Sequence, residues 1–128
     1  IYFPVQRKDA HFFIGDCHGR QGDGELCGVA VEMPATVTVQ IDLIKSWCIP
    51  GVRIETNDFI MSLGSARPME DAARMAYRDL IRWLVDDYHF EESEAYLLAT
   101  QAGRMRVGNM VDPKYTLGAS ILKKYIEQ

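Results

Sequence analysis

The densest set of residues able to do chemistry lies in one glycine-rich segment, Gly15-Asp16-Cys17-His18-Gly19-Arg20-Gln21-Gly22-Asp23-Gly24-Glu25-Leu26-Cys27-Gly28. Five of the chain's ten glycines fall within it, interleaved with Asp16, His18, Asp23 and Glu25. Glycine at that density permits positive φ and close backbone approach, at an entropic cost that a purely structural turn seldom requires. The carboxylates and the imidazole are therefore expected to converge. Asp16 and His18 are two apart, so they project from one face wherever the backbone is extended. Carboxylate and imidazole are ordinary ligands of a borderline cation such as Zn²⁺, which in a catalytic site keeps one position for water. A cation so held brings the pKa of a bound water to about 7. Glu25 is then placed to receive that proton and return it to a leaving amine.

Other readings of these residues stand beside that one. From spacing alone, Asp16 and His18 read more simply as a hydrogen-bonded turn, and Asp23-Gly24 doubles as a hairpin signal. Cys17 beside His18 reads either as a thiolate nucleophile, with His18 as base and Glu25 as partner, or as a small buried thiol. Glu32, just before Pro34, lines the site or sits at the surface. His11, in an apolar run, reads as structural and His89, at a helix end, as solvated. Trp47 either walls a pocket or packs under a turn. Arg74, Arg78 and Arg82 share one helix face, which suits solvent or a subunit contact better than substrate.

The elements that must position these groups follow from periodicity. Residues 1–67 have strand grammar, with β-branched or aromatic runs at 10–15, 28–33, 35–41, 52–55 and 59–63 separated by turn residues. The third run alternates well, with Val37, Val39 and Ile41 on one face and Thr36, Thr38 and Gln40 on the other. A turn is expected at 46–52 around Pro50-Gly51. The grammar changes at Pro68, a good first helical position, where Glu70 and Asp71 suit the positive end of the helix dipole. Met69, Ala72, Ala76, Leu80, Trp83 and Leu84 then recur three or four apart, predicting a helix to about Asp87. A shorter helix is expected over 91–102, stopped by Gly103 as a left-handed cap, followed by a strand over 104–111. The tail, 116–128, is ambiguous between strand and helix because of Gly118. The fold class is α+β: a β-rich amino-terminal half with a sandwich-like sheet, then a helical layer and a further strand.

Composition bounds the function classes. The 128 residues are 48% hydrophobic and 25% charged with a net charge of −4, which excludes disorder, collagen and coiled coil. A domain of this size buries roughly two thirds of the surface its unfolded chain exposes, enough for a core without staples. Fourteen Lys and Arg stand against 18 Asp and Glu with no basic run, so nucleic acid is not an expected partner. No apolar stretch approaches the roughly 20 residues that span a bilayer, and a cytoplasmic location without membrane association is expected. Cys17, Cys27 and Cys48 form an odd set without CxxC, which points to reduced thiols. The opening Ile1-Tyr2-Phe3-Pro4-Val5 has no initiator Met and reads as the middle of a strand, so a piece of a longer polypeptide is expected.

The run Gly15-Asp16-Cys17-His18, then Gln21-Gly22-Asp23-Gly24-Glu25 and Cys27-Gly28, closing on Glu32, resembles the signature GD-x-H-x-x-QGDGE-x-CG of the acetamidase/formamidase family. Residues 1–5 are similar to the strand preceding that signature and residues 68–84 to the family's helix. Glu94-Ala95-Tyr96-Leu97-Leu98 and Val111-Asp112-Pro113 are similar to its carboxy-terminal pattern. The resemblance implies hydrolysis of formamide, acetamide or, in some relatives, cyclic amides, with a divalent metal, commonly zinc, and a homo-oligomer. It puts Asp16 and His18 on the metal-binding pair, Glu25 on the catalytic acid, and Glu32 on an acidic position of unassigned role; Cys17, Gly19 and Arg20 fill variable positions. It also implies that residues 1–128 are the carboxy-terminal portion of a larger two-part fold, 1–67 carrying the loop 15–28 and 68–128 being α+β. An upstream half of the same polypeptide would then add metal ligands. Two alternatives remain in view: an amidase with Cys17 as nucleophile, and a non-catalytic piece or relative that binds small amides.

Overall fold

Alternation in one central strand organises the structure, a computed structural model that describes residues 1–126. In Phe59–Ala66 (β4), Ile60, Ser62 and Gly64 are buried on one face, as a strand covered from one side requires. It pairs antiparallel with Arg53–Glu55 (β3) and, over eight residue pairs, with Tyr115–Leu122 (β6). Arg104–Asn109 (β5) adds to the far side of β6, giving the order β3-β4-β6-β5. A second, two-stranded antiparallel sheet joins His18–Arg20 (β1) to Val31–Glu32 (β2). The helix Met69–Tyr88 (α1) covers β4 and β6, and Glu92–Ala102 (α2) packs against α1.

The apolar stripe of α1 meets the buried face of the larger sheet. Ala76, Leu80, Trp83 and Leu84 close on Ile60, Ala119, Ile121, Ala95 and Ile126 as one core. Burying each large side chain there contributes about 1.5–3 kcal/mol. The helix sits unusually low on β4, because a Cβ on Gly64 would overlap the Ala72 carbonyl and crowd the Ala76 amide. Glycine at 64 is therefore required by close approach.

The α+β class holds, with local departures from the expected elements. Residues 10–15 and 35–41 form no strand, and 28–33 shrinks to Val31–Glu32. Alternation reports only which side chains prefer cover, whereas a strand also requires a neighbour for its backbone groups. No described residue pairs with 35–41, and Val37, Val39 and Ile41 stay exposed. The strands of the β-rich half do not close on each other alone: β3 and β4 join β6 and β5 from the second half. Gly103 is extended (φ −65°, ψ 147°) rather than left-handed. It lets α2 run straight into β5, where a Cβ would overlap the Ala99 carbonyl. The left-handed cap is instead His89, which ends α1 at φ 61°. Pro68 precedes the helix as its N-cap. The tail resolves as strand to Leu122, since small Gly118, Ala119 and Ser120 fit between β4 and β5; its last two residues lie outside the described residues.

One buried charge anchors the amino-terminal end. Arg53, 1% exposed, donates to Asp79 through Nε (3.0 Å) and Nη2 (2.8 Å). Its guanidinium lies over the rings of Trp83 and Trp47, at 4.9 and 5.4 Å. Tyr2 exchanges two backbone hydrogen bonds with Arg53, packs edge-on against Trp47 and Trp83, and donates its hydroxyl to Glu55 at 2.7 Å. Trp47 thus packs under this corner. The hydrogen bond to the Glu55 carboxylate, followed by burial, pushes the Tyr2 phenol up to about 12. Glu55 is held below its ordinary value, first by the hydrogen bond from Lys123 (2.7 Å) and then by that from Tyr2, with burial opposing.

Removing Asp79 leaves buried Arg53 with only the Asp87 carboxylate, 3.9 Å from Nη1 and without a hydrogen bond, so Asp79→Ala is expected to cost about 3 kcal/mol in denaturant unfolding. Arg74→Ala, which breaks an exposed pair with Asp71, is expected to cost no more than about 1 kcal/mol. Similar losses from the two variants would contradict the central role of Arg53. Glu55, with its depressed pKa, contributes stability above its ordinary value of 4.5 that is lost as pH falls through the folded value. Glu55→Gln should therefore flatten the acid limb of a melting-temperature profile, and an unaltered limb would refute the assignment.

Candidate active site

The β1–β2 ladder sets His18 directly opposite Glu32, so the two side chains share a face. A hydrogen bond from the Met33 amide to the Cys17 carbonyl (3.0 Å) fixes that register. Asp16 reaches the same point by a route other than the extended one expected: its backbone is left-handed, at φ 56°. His18 Nε2 lies 3.4 Å from Asp16 Oδ1 and 3.3 Å from Glu32 Oε1. One ligand atom from each of the three lies within 4.8 Å of the others.

The donor chemistry of this cluster fits a divalent cation. Nε2 is buried and has no hydrogen-bond partner, although two carboxylates flank it. Imidazole nitrogen with two carboxylate oxygens is an ordinary zinc set with room for a further ligand. On the other side of the ring, Nδ1 lies 2.7 Å from Gln21 Oε1, and Gln21 Nε2 donates to the Gly108 carbonyl at 2.8 Å. The Gln21 hydrogen bond raises the His18 pKa above 6.5, and the charges of Glu32 and Asp16 add to it against the effect of burial.

Glu25 is held separately, at the end of a 3₁₀ turn over Asp23–Glu25. Gly24 (φ 81°) and Glu25 (φ 48°) are both left-handed. For a glutamate that conformation costs on the order of 1–3 kcal/mol, so the surroundings must enforce it. They do so from the end of β5. The Met110 amide donates to the Gly24 carbonyl (3.0 Å), and a Cβ on buried Gly24 would collide with the Met110 side chain. Arg106 grips Asp23 Oδ1 through Nε (3.1 Å) and Nη2 (2.6 Å). Asn109 Nδ2 lies 3.5 Å from Glu25 Oε2 and donates to Asp112 at 2.6 Å, while its Oδ1 accepts the Val111 and Asp112 amides.

Asp16, His18 and Glu32 thus come together, Glu25 hangs half-buried from Asn109, and exposed Asp23 is engaged by Arg106. Cys17 is half-buried as a free thiol, and no hydrogen bond joins it to His18 among the described residues. His11 is exposed and stacked on Phe13, and His89 is exposed. Arg74, Arg78 and Arg82 line a groove of about 770 Å³ between α1 and α2, with Tyr77, Ile81 and Tyr96. Sequence reading missed Gln21, Gly108 and Asn109 as supports. The spacing Asn109-x-x-Asp112 after a strand was the available signal, as asparagine there caps its own turn.

The chain matches the model of the Acetamidase/Formamidase family over residues 1–121. A solved structure of acetamidase from Yersinia enterocolitica is 56% identical, with a TM-score of 0.84 over 87% of this chain and 34% of that chain. The acetamidase of Mycolicibacterium smegmatis is 31% identical over 115 residues, 88% of this chain and 26% of the relative. The formamidase of Methylophilus methylotrophus is 47% identical over 47 residues, 35% of this chain and 11% of the relative. The chain therefore spans between 11% and 34% of the length of these relatives.

A raised folded pKa means that His18 contributes stability below 6.5 that fades as pH rises through the folded value. Glu32→Gln removes one of the charges that raise it. In chelator-treated protein this variant is expected to lower the His18 pKa in an NMR titration of the ring protons. No movement would mean that Glu32 does not face Nε2 in solution.

Proposed function

The chain belongs to the Acetamidase/Formamidase family, and from it we propose that the protein hydrolyses small amides of the formamide or acetamide type to ammonia and a short carboxylate. A divalent cation, zinc foremost, is held by Asp16 and His18 with Glu32 as third ligand. The observation that carries this reading is the buried Nε2 of His18, without a hydrogen-bond partner between two carboxylates. Such a cation, when bound, supplies an acidified water and an electrophile for the amide oxygen.

The chain's own residues supply the proton handling. Glu25 accepts the proton of the attacking water on a carboxylate oxygen as the water oxygen bonds the amide carbon, and delivers it to the nitrogen, so that the C–N bond breaks with release of neutral ammonia. Asn109, 3.5 Å from Oε2, steers that carboxylate. Asp23, held by Arg106, keeps the turn in shape and stays outside the cation cluster. The printed names of the relatives, acetamidase and formamidase, support the substrate class. The activity is assigned to the full-length polypeptide, in which an upstream half adds ligands and pocket walls and copies form a homo-oligomer. No helix among the described residues is long and apolar enough to cross a membrane, and we place the enzyme in the cytoplasm. A thiol mechanism at Cys17 is less well supported, since both ring nitrogens of His18 face other groups.

Ammonia release from formamide and acetamide, with and without a strong chelator, tests the proposal. Release that stops on chelation is expected. Release indifferent to chelator but abolished by a thiol reagent would transfer the chemistry to Cys17, and no release would favour a binding role. Glu25→Gln is expected to keep its metal while the rate falls by about 10²–10⁴. His18→Ala is expected to lose metal, and full zinc content in that variant would remove His18 from the ligand set.

A further inference from the structure

We propose that Gln21 is the positioning residue that makes His18 a metal ligand, by fixing its imidazole with the proton on Nδ1 and the lone pair on Nε2. The inference rests on the metal reading above and assigns a role to a side chain that touches neither cation nor substrate.

The geometry determines each step. The Gly108 carbonyl can only accept a hydrogen bond, so the end of the Gln21 amide facing it at 2.8 Å must be the NH₂. The other end, 2.7 Å from His18 Nδ1, is then the carbonyl oxygen, which also can only accept. Nδ1 therefore carries the proton. In the neutral ring the lone pair is left on Nε2, the nitrogen that faces Asp16 and Glu32. Without Gln21 the natural arrangement is the reverse, because two carboxylates that only accept would draw the proton onto Nε2 and block it as a ligand. A ligating histidine generally depends on such a partner at its other nitrogen, and loss of that partner typically lowers metal affinity 10–100-fold. Gln21 is anchored to β5, 87 residues along the chain, so the tautomer is set by the sheet rather than by the loop itself.

The test uses the full-length polypeptide and Zn²⁺ alone as probe, and Gln21 is exposed, so substitutions there leave the core intact. In chelator-treated protein with the ring neutral, ¹⁵N shifts should show the Nδ1–H form of His18. Gln21→Leu should move it to the Nε2–H form and weaken Zn²⁺ binding about 10–100-fold in competition with a chromogenic chelator. Gln21→Lys, which offers only a donor, should do the same. Gln21→Glu, which keeps an acceptor for Nδ1–H but gives up the donor to the Gly108 carbonyl, should keep the Nδ1–H form that Gln21→Leu loses. Gln21→Leu or Gln21→Lys with an unchanged tautomer and affinity would overturn the proposal. If His18→Ala loses zinc while those variants keep it, the Gln21 assignment alone fails. If His18→Ala binds zinc as the parent does, the metal reading itself has failed.

Discussion

The backbone hydrogen bond from the Met110 amide to the Gly24 carbonyl joins the glycine-rich loop to the sheet that carries the core. The loop has little regular structure of its own, the short β1–β2 ladder and one 3₁₀ turn. Glycine-rich backbone loses more freedom on ordering than any other, and a rigid neighbour must offset that loss. The end of β5 is that neighbour: it receives Gln21 at Gly108, Asp23 at Arg106, Gly24 at Met110 and Glu25 at Asn109. The His18 imidazole, through Gln21, and the Glu25 carboxylate are thereby referred to adjacent residues of one strand, Gly108 and Asn109. Mutual spacing is what a reaction needs most from its protein, since small misplacements of reacting groups are expensive.

That strand is in turn only as rigid as what lies behind it. Its neighbour β6 is paired along its length with β4, and β4 is pinned under α1 by the near contact at Gly64. The Arg53–Asp79 pair then ties β3 to the middle of α1. Burying two charges is costly, and the bidentate geometry with two indole faces over the guanidinium compensates it in part. What such an arrangement adds beyond stability is register: Arg53 fits only where Asp79, Trp47 and Trp83 converge.

The parts legible in the sequence were those encoded locally. The stripe from Ala72 to Leu84 repeats at helical spacing, and the helix was found within a residue or two of each end. Asp16 and His18 were legible as a pair but not by the route their spacing suggests, because Asp16 turns to Nε2 through a left-handed backbone rather than an extended one. Glu32 was visible only as a candidate, since its place opposite His18 depends on a ladder register that periodicity does not report. Gln21 and Asn109 lay beyond reach because their partners are set by the tertiary fold. Val37, Val39 and Ile41 failed in the opposite sense, for a clean alternation there meets no partner strand among the described residues.

The contacts between loop and β5 also bear on the order in which the loop is fixed. Gln21 to Gly108, Asp23 to Arg106 and Glu25 to Asn109 are separated by 87, 83 and 84 residues. Pairing across such spans incurs its loop-closure entropy before any contact repays it, which makes high-contact-order structure late to assemble. In synthesis the segment 15–28 precedes both helices and β5, so its contacts to Gly108, Arg106 and Asn109 wait until these have followed. The fixing of Gln21, Asp23 and Glu25 is thus a late event in the folding of this chain, whereas the Asp16, His18 and Glu32 cluster rests on the local β1–β2 ladder.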